Sequence, residues 1–146
     1  MKRRFLMLAA LLGLGLAACS SGPSDPNIAP NETVIDATSN VPFQLRAGEI
    51  ARFQDQLLIA FRNVSADSRC ASDVQCVWSG DATVHLEVTI ARMAWSARDL
   101  HTHVEPHAVD FRDYRIRLVG LAPNPISTQV IAPGDYVATL EVTRKP

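Results

Sequence analysis

The sequence predicts an all-β fold, an antiparallel β-sandwich, and three observations carry that expectation. Apolar residues recur at period two in four separate stretches, as in strands with one buried face. Turn-forming residues separate those stretches. No segment of about ten or more residues carries a convincing helical period.

The elements follow in chain order. Phe43–Arg46 and Glu49–Phe53 are short candidate strands joined across an Ala47-Gly48 turn. Leu57, Ile59 and Phe61 then alternate with Leu58, Ala60 and Arg62. The clearest stretch is the next one, where Ala82, Val84, Leu86, Val88 and Ile90 alternate with Thr83, His85, Glu87, Thr89 and Ala91. Leu100–Val104 is another short candidate. Tyr114, Ile116 and Leu118 alternate with Arg115 and Arg117, and Pro123-Asn124-Pro125 turns the chain. After Pro133-Gly134-Asp135, Tyr136, Ala138, Leu140 and Val142 alternate with Val137, Thr139, Glu141 and Thr143. Strands with one apolar face must bury it, and two sheets packed face to face do so. The expected architecture is Ig-like in general outline. A small β-barrel is the runner-up, because strand patterns do not fix closure.

Before the strands lies an export signal. Lys2, Arg3 and Arg4 precede an apolar run from Phe5 to Leu16, and Ala17-Ala18-Cys19 closes it. This is the layout of a secretory signal peptide. The run is too short to span a bilayer, which takes roughly 20 residues. Leu16-Ala17-Ala18-Cys19 resembles the lipobox of bacterial lipoproteins. The resemblance implies cleavage before Cys19 and acylation of its thiol and new amino group, with palmitate-type chains. Two or more acyl chains hold a protein stably on a membrane, at roughly 0.8 kcal/mol per buried methylene. Arg3-Arg4 runs directly into Phe5 without the spacing of the twin-arginine signal, which favours the general export route. Ser20 follows the cysteine where an aspartate would signal retention at the inner membrane, so the resemblance points to the outer membrane. The expected organisation is a signal peptide over 1–18, a lipidated cysteine and flexible tether over 19–40, and a sandwich domain over 41–146. Pro23, Pro26 and Pro30 with intervening Ser, Gly and Asp make the tether polar and poor in buriable surface.

Loss of Lys2, Arg3 and Arg4 takes the formal net charge from −1 to about −4. With no basic run and few aromatics to stack on bases, nucleic acid is excluded as a partner.

The most distinctive stretch runs from Asp67 through Cys70, Cys76, Trp78 and Gly80 to Ala82. In an oxidising compartment, Cys70 and Cys76 pair by default. Trp78 is expected to pack beside the bridge, Gly80 to turn the chain into the long strand, and Arg69 to pair with Asp67 across the loop base. Two readings stand: a stapled connection between sheets, and a recognition loop whose shape the bridge fixes. The pattern Asp-Ser-Arg-Cys, five residues, Cys-x-Trp-x-Gly-x-Ala is similar to that of small secreted or lipid-anchored bacterial domains of unknown function. Those domains also carry segments like Tyr114-Arg115-Ile116-Arg117-Leu118, Pro123-Asn124-Pro125 and Tyr136-Val137-Ala138-Thr139-Leu140. Ala71 departs from the pattern, where proline is expected. The resemblance implies no activity and transfers no functional residue.

His101, His103 and His107 fall within His-Thr-His-Val-Glu-Pro-His. On a strand the first two share a face, His107 follows a Glu105-Pro106 turn, and Glu105 is a possible oxygen ligand. Copper or zinc would suit neutral imidazoles. The competing reading is a solvated face with Leu100, Thr102 and Val104 pointing inward. No partner for these imidazoles is evident in the sequence, so tight binding is not expected. His85 reads as exposed. Ser79 lacks the flanking glycines of a nucleophile elbow, Glu87 and Glu141 sit on polar strand faces, and no paired-acid or phosphate-loop motif appears. The expected function is a non-catalytic, membrane-anchored domain that binds a protein or polymer or plays a structural role, with no cofactor. A periplasmic metal-binding protein is the alternative, and a hydrolase ranks third.

Overall fold

A computed structural model describes residues 26–29, 32–54 and 56–146. The expected signal peptide, Cys19 and the first part of the tether lie outside the described residues. Nine strands form: β1 (Val34–Ala37), β2 (Phe43–Arg46), β3 (Ile50–Phe53), β4 (Leu57–Asp67), β5 (Ala82–Ile90), β6 (Ser96–His101), β7 (Ala108–Phe111), β8 (Tyr114–Ala122) and β9 (Val137–Arg144). They make one sheet ordered β1-β3-β4-β5-β6 and a second ordered β2-β9-β8-β7. Both sheets are open, so the molecule is a sandwich and not a barrel. No helix among the described residues is long and apolar enough to cross a membrane.

The alternating residues fill the space between the sheets. Leu57, Ile59 and Phe61 of β4 and Val84, Leu86 and Val88 of β5 face Ile116 of β8 and Ala138, Leu140 and Val142 of β9, all fully buried. Each such side chain contributes roughly 1.5–3 kcal/mol by leaving water. Phe53 meets Tyr114 edge to face across the core, with ring centroids 5.4 Å apart.

Besides β6, which is Ser96–His101 where Leu100–Val104 was expected, and β8, which runs past Leu118 to Ala122, three departures from the expected elements have physical causes. The domain begins earlier than residue 41, because β1 lies within the stretch read as tether and pairs in parallel with β3 from Val34↔Ile50 to Ala37↔Phe53. It is a four-residue edge strand with too few positions to show a period. Second, Leu58, Ala60 and Ile50 are buried on the other face of their sheet, under Ile28, Val34 and Trp95. This explains why β4 opens as a continuous apolar run rather than a strict alternation. Third, β4 continues five residues past Arg62, through two register shifts against β5 at Phe61/Asn63 and Val64/Ala66. Each bulge resets the facing of the side chains and erases the alternation. β7, another four-residue strand, pairs with the lower part of β8 through Ala108↔Arg117 and Phe111↔Tyr114.

The connections β4–β5, β6–β7 and β8–β9 all emerge at one end of the sandwich, as the antiparallel registers require. That end carries Arg69, Cys70, Cys76, Trp78, Gly80, His101, His103 and His107.

Candidate functional site

The β4–β5 loop begins as a prolonged hairpin. Ser68 N–H donates to Asp81 O at 2.7 Å and Cys70 N–H to Ser79 O at 2.7 Å. Gly80 has φ +67°, and a Cβ on it would lie 1.8 Å from Ser68 O. Only glycine fits there, for both conformation and space. Beyond it, Cys70 and Cys76 form the expected disulfide, with Cα atoms 5.9 Å apart.

Trp78, expected to pack beside the bridge, stands largely in solvent. It is 68% exposed, and Val77 is fully exposed. The loop base is held by an ion pair. The Asp67 carboxylate accepts from Arg69 Nε at 2.9 Å and Nη2 at 2.7 Å, and from the Tyr136 hydroxyl at 3.1 Å. Arg69 also donates to Leu121 O at 2.6 Å and Pro123 O at 2.9 Å. Its side chain is 6% exposed and that of Asp67 is 12% exposed. Burial pushes the Asp67 carboxyl up, but the Arg69 bonds, the Arg69 charge and the Tyr136 bond outweigh it and hold the group below its ordinary value. Burial and the Asp67 charge push the Tyr136 phenol up. Arg69 pairs with Asp67 as the sequence suggested. Tyr136 and the two carbonyls, 52 or more residues away along the chain, were invisible to local spacing.

A second set of bonds zips this loop to the β8–β9 loop. Ser72 donates to Pro125 O through its N–H at 2.9 Å and its hydroxyl at 3.2 Å. Ser127 donates to Asp73 through its N–H at 2.9 Å and its hydroxyl at 2.6 Å. Those two Ser127 bonds lower the Asp73 carboxyl. The joined loops present Val74, Val77, Trp78, Ile126 and Val130 to solvent. In residues 71–79 and 123–132 the one charged side chain is Asp73, already bonded to Ser127.

The histidines sit beside this tip. β6 ends at His101, so His103 lies past the strand and the two do not share a strand face. Of the inward set expected there, Leu100 is buried but Val104 is exposed. The organiser is Asp81, which the sequence reading passed over. His101 Nδ1 lies 2.7 Å from Asp81 Oδ2, and the Thr102 hydroxyl and His103 N–H donate to Oδ1 at 3.1 and 2.9 Å. Burial raises the Asp81 carboxyl, yet the His103, His101, Thr102 and Val104 bonds bring it down to about 2. Thr102 in turn accepts from Ala82 N–H at 2.9 Å. His103 Nδ1 lies 3.1 Å from the Thr102 hydroxyl and His107 Nδ1 lies 2.8 Å from His101 O. Among the described residues no group of three or more His, Cys, Asp or Glu side chains is placed to hold a metal ion. His85 pairs with Asp99 across β5 and β6, at 2.6 Å.

Two shallow clefts flank the tip. One of about 220 Å³ is lined by Arg69, Thr102, His103, Gly120, Leu121 and Asn124. The other, about 210 Å³, is lined by Asp67, Gln129, Val130, Ile131 and Tyr136 among others. In both, the charged groups are turned to internal partners: Arg69 to two carbonyls and a carboxylate, Asp67 to Arg69 and Tyr136. The ion pair and the loop-to-loop bonds of this end hold loops in place, and Val77, Trp78 and Val130 are among the side chains that project. Comparison with protein-family models, with curated proteins and with solved structures finds no match to this chain.

Proposed function

We propose that this chain is a lipid-anchored cell-envelope domain, held at the outer membrane through Cys19, that acts by contact and not by catalysis. The observation that carries the reading is the loop end. A buried ion pair, a disulfide and a loop-to-loop zip hold Val77, Trp78 and Val130 outward on a rigid sandwich. Exposed groups of apolar side chains mark contact sites, and binding residues are typically set on loops above a rigid scaffold. The disulfide fits an oxidising compartment outside the cytosol. Leu16-Ala17-Ala18-Cys19 supplies the attachment. A protein or polymer of the envelope is the class of ligand that suits a contact domain kept at the membrane.

The test begins with the anchor. Cys19→Ser is expected to block processing or to release the chain from membranes, and the parent's mature mass is expected to carry acyl chains. A mutant that sediments with membranes like the parent, at the same mature mass, would remove the lipoprotein reading.

A further inference from the structure

The two ends of the sandwich differ in charge. The loop segments 67–81, 102–107 and 123–136 hold Asp67, Asp73, Asp81, Glu105 and Asp135 against one cation, Arg69. At the opposite end lie the β3–β4, β5–β6 and β7–β8 turns and the end of β9. There Arg92, Arg112, Arg144 and Lys145 stand against Asp55 and Asp113. We propose that this second end rests on the anionic headgroups of the membrane that carries the Cys19 lipid, with Arg92, Arg112 and Arg144 as its contacts. The loop tip then faces away from that membrane and meets its partner on the far side. The inference rests on the lipid-anchored reading.

The three arginines are available for such a contact. Arg52, Arg62, Arg69, Arg115 and Arg117 each pair with a carboxylate, and Lys145 pairs with Asp110. Among the described residues Arg92, Arg112 and Arg144 have no carboxylate partner, and all three are exposed. They also share one surface. Arg112 Nη2 donates to the Met93 sulfur at 3.5 Å, which sets the β7–β8 turn against the β5–β6 turn. Tyr114 pairs with Arg144, and Lys145 N–H donates to Asp113 O at 2.7 Å, which brings the end of β9 beside them. Cations near an anionic bilayer are drawn to it within about a Debye length, roughly 8 Å at physiological salt. The same field repels the carboxylates of the loop end, so both ends favour one orientation.

The tether enters at the basic end. Ile28 and Trp95 pack on the cluster that contains Leu58. Leu58 is the second residue of β4, after the β3–β4 turn, and Trp95 immediately precedes β6, after the β5–β6 turn. Cys19 lies nine residues before Ile28, at most about 32 Å when fully extended. Thr89, paired with Leu58, is ten residues from Ser79 at the base of the tip, roughly 33 Å at the rise of a strand. A bilayer touching the tip would need the whole tether stretched along the sheet. One touching the basic turns leaves the tether slack, and so costs less chain entropy.

The two tryptophans stand toward opposite ends and report the orientation. The experiment uses the full lipidated chain in vesicles that carry a dansyl-labelled headgroup. One set is phosphatidylcholine, and the other is equal parts phosphatidylcholine and phosphatidylglycerol. Trp78→Phe leaves Trp95 as the donor, and Trp95→Phe leaves Trp78. In the anionic vesicles Trp95 is expected to transfer energy to dansyl about twofold or more better than Trp78. That contrast should shrink in the neutral vesicles and in the variant Arg92→Gln, Arg112→Gln, Arg144→Gln. Equal or stronger transfer from Trp78 overturns the proposal. So does a contrast that neither neutral lipid nor the triple variant alters, since the tether alone would then set the orientation. Mature mass and vesicle co-sedimentation report the anchor separately, so a failed anchor and a failed orientation give different results. Should Trp95→Phe unfold the chain, the parent with and without Trp78→Phe gives both readings by difference. Should the triple variant unfold, the parent at high salt removes the same attraction by screening.

Discussion

Asp67 and Asp81 sit side by side at the top of neighbouring strands, bridged by the Ser68–Asp81 backbone bond, yet they organise two different loops. Asp67 fixes Arg69, and through it the start of the β8–β9 loop. Asp81 fixes His101, Thr102 and His103, and through them the β6–β7 loop. Both carboxylates work inside the protein. The loops differ in what they turn outward. Above Asp67 the projecting groups are Trp78, Val77 and Val130, while above Asp81 they are His103, Val104 and Glu105. A polar group that is bonded from several sides acts as scaffold, and the side chains left without internal work define the surface. In the tip those include Val77, Trp78 and Val130, large apolar side chains that are more often buried.

The largest effects come from breaking the base of the tip. Gly80→Ala forces a Cβ onto Ser68 O in a left-handed conformation. It is expected to cost about 3 kcal/mol or more, read as a shift in the urea midpoint. Removing Arg69 by Arg69→Ala leaves the Asp67 carboxylate buried without its cation. The expected loss is about 3 kcal/mol, and Asp67→Asn in the same chain should recover part of it. A smaller loss on the double variant than on Arg69→Ala alone is the result that ties the cost to the stranded charge.

Opening the bridge with Cys70→Ser and Cys76→Ser removes a short loop constraint, so roughly 2 kcal/mol is expected. Non-reducing peptide maps of the parent should show the cross-linked fragment first. The Asp81 side of the comparison is sharpened by acid. Its folded value of about 2 lies below the unfolded one, so its contribution is complete above about pH 4 and is lost as pH falls toward 2. The size is on the order of 1–2 kcal/mol, since the group is partly hydrated. Asp81→Asn should remove this acid limb from the stability profile while leaving the Trp78 environment intact. The smallest effects on stability belong to the exposed groups. Trp78→Ala and His103→Ala are each expected within about 0.5 kcal/mol of the parent by thermal melt. A large loss for Trp78→Ala would mean that it supports the bridge after all.

How much of this was legible depends on the range of the interaction. β2 falls at its expected bounds, and β3, β5 and β9 within a residue of theirs, because alternation and turn residues are local signals. The disulfide partner of Cys70 was legible by count and compartment, and Gly80 by its place before a strand. β1, β7, most of β6 and the upper halves of β4 and β8 were not, since four-residue edges and bulged strands carry no usable period.

The sequence by itself determined that apolar faces alternate, that they need a second sheet, and that two cysteines and an Arg-Asp pair lie at one loop. Those facts depend on neighbours a few residues apart. Tertiary structure alone decided which carboxylate meets which donor and which apolar side chain stays outside. Tyr136 reaches Asp67 and Pro125 reaches Ser72 only because the two sheets stack with their loops at one end. Trp78 stays exposed, while Arg69, its guanidinium bonded to a carboxylate and two carbonyls, holds the base of the loop. Burial depends on what else occupies a place, and no stretch of sequence carries that about itself.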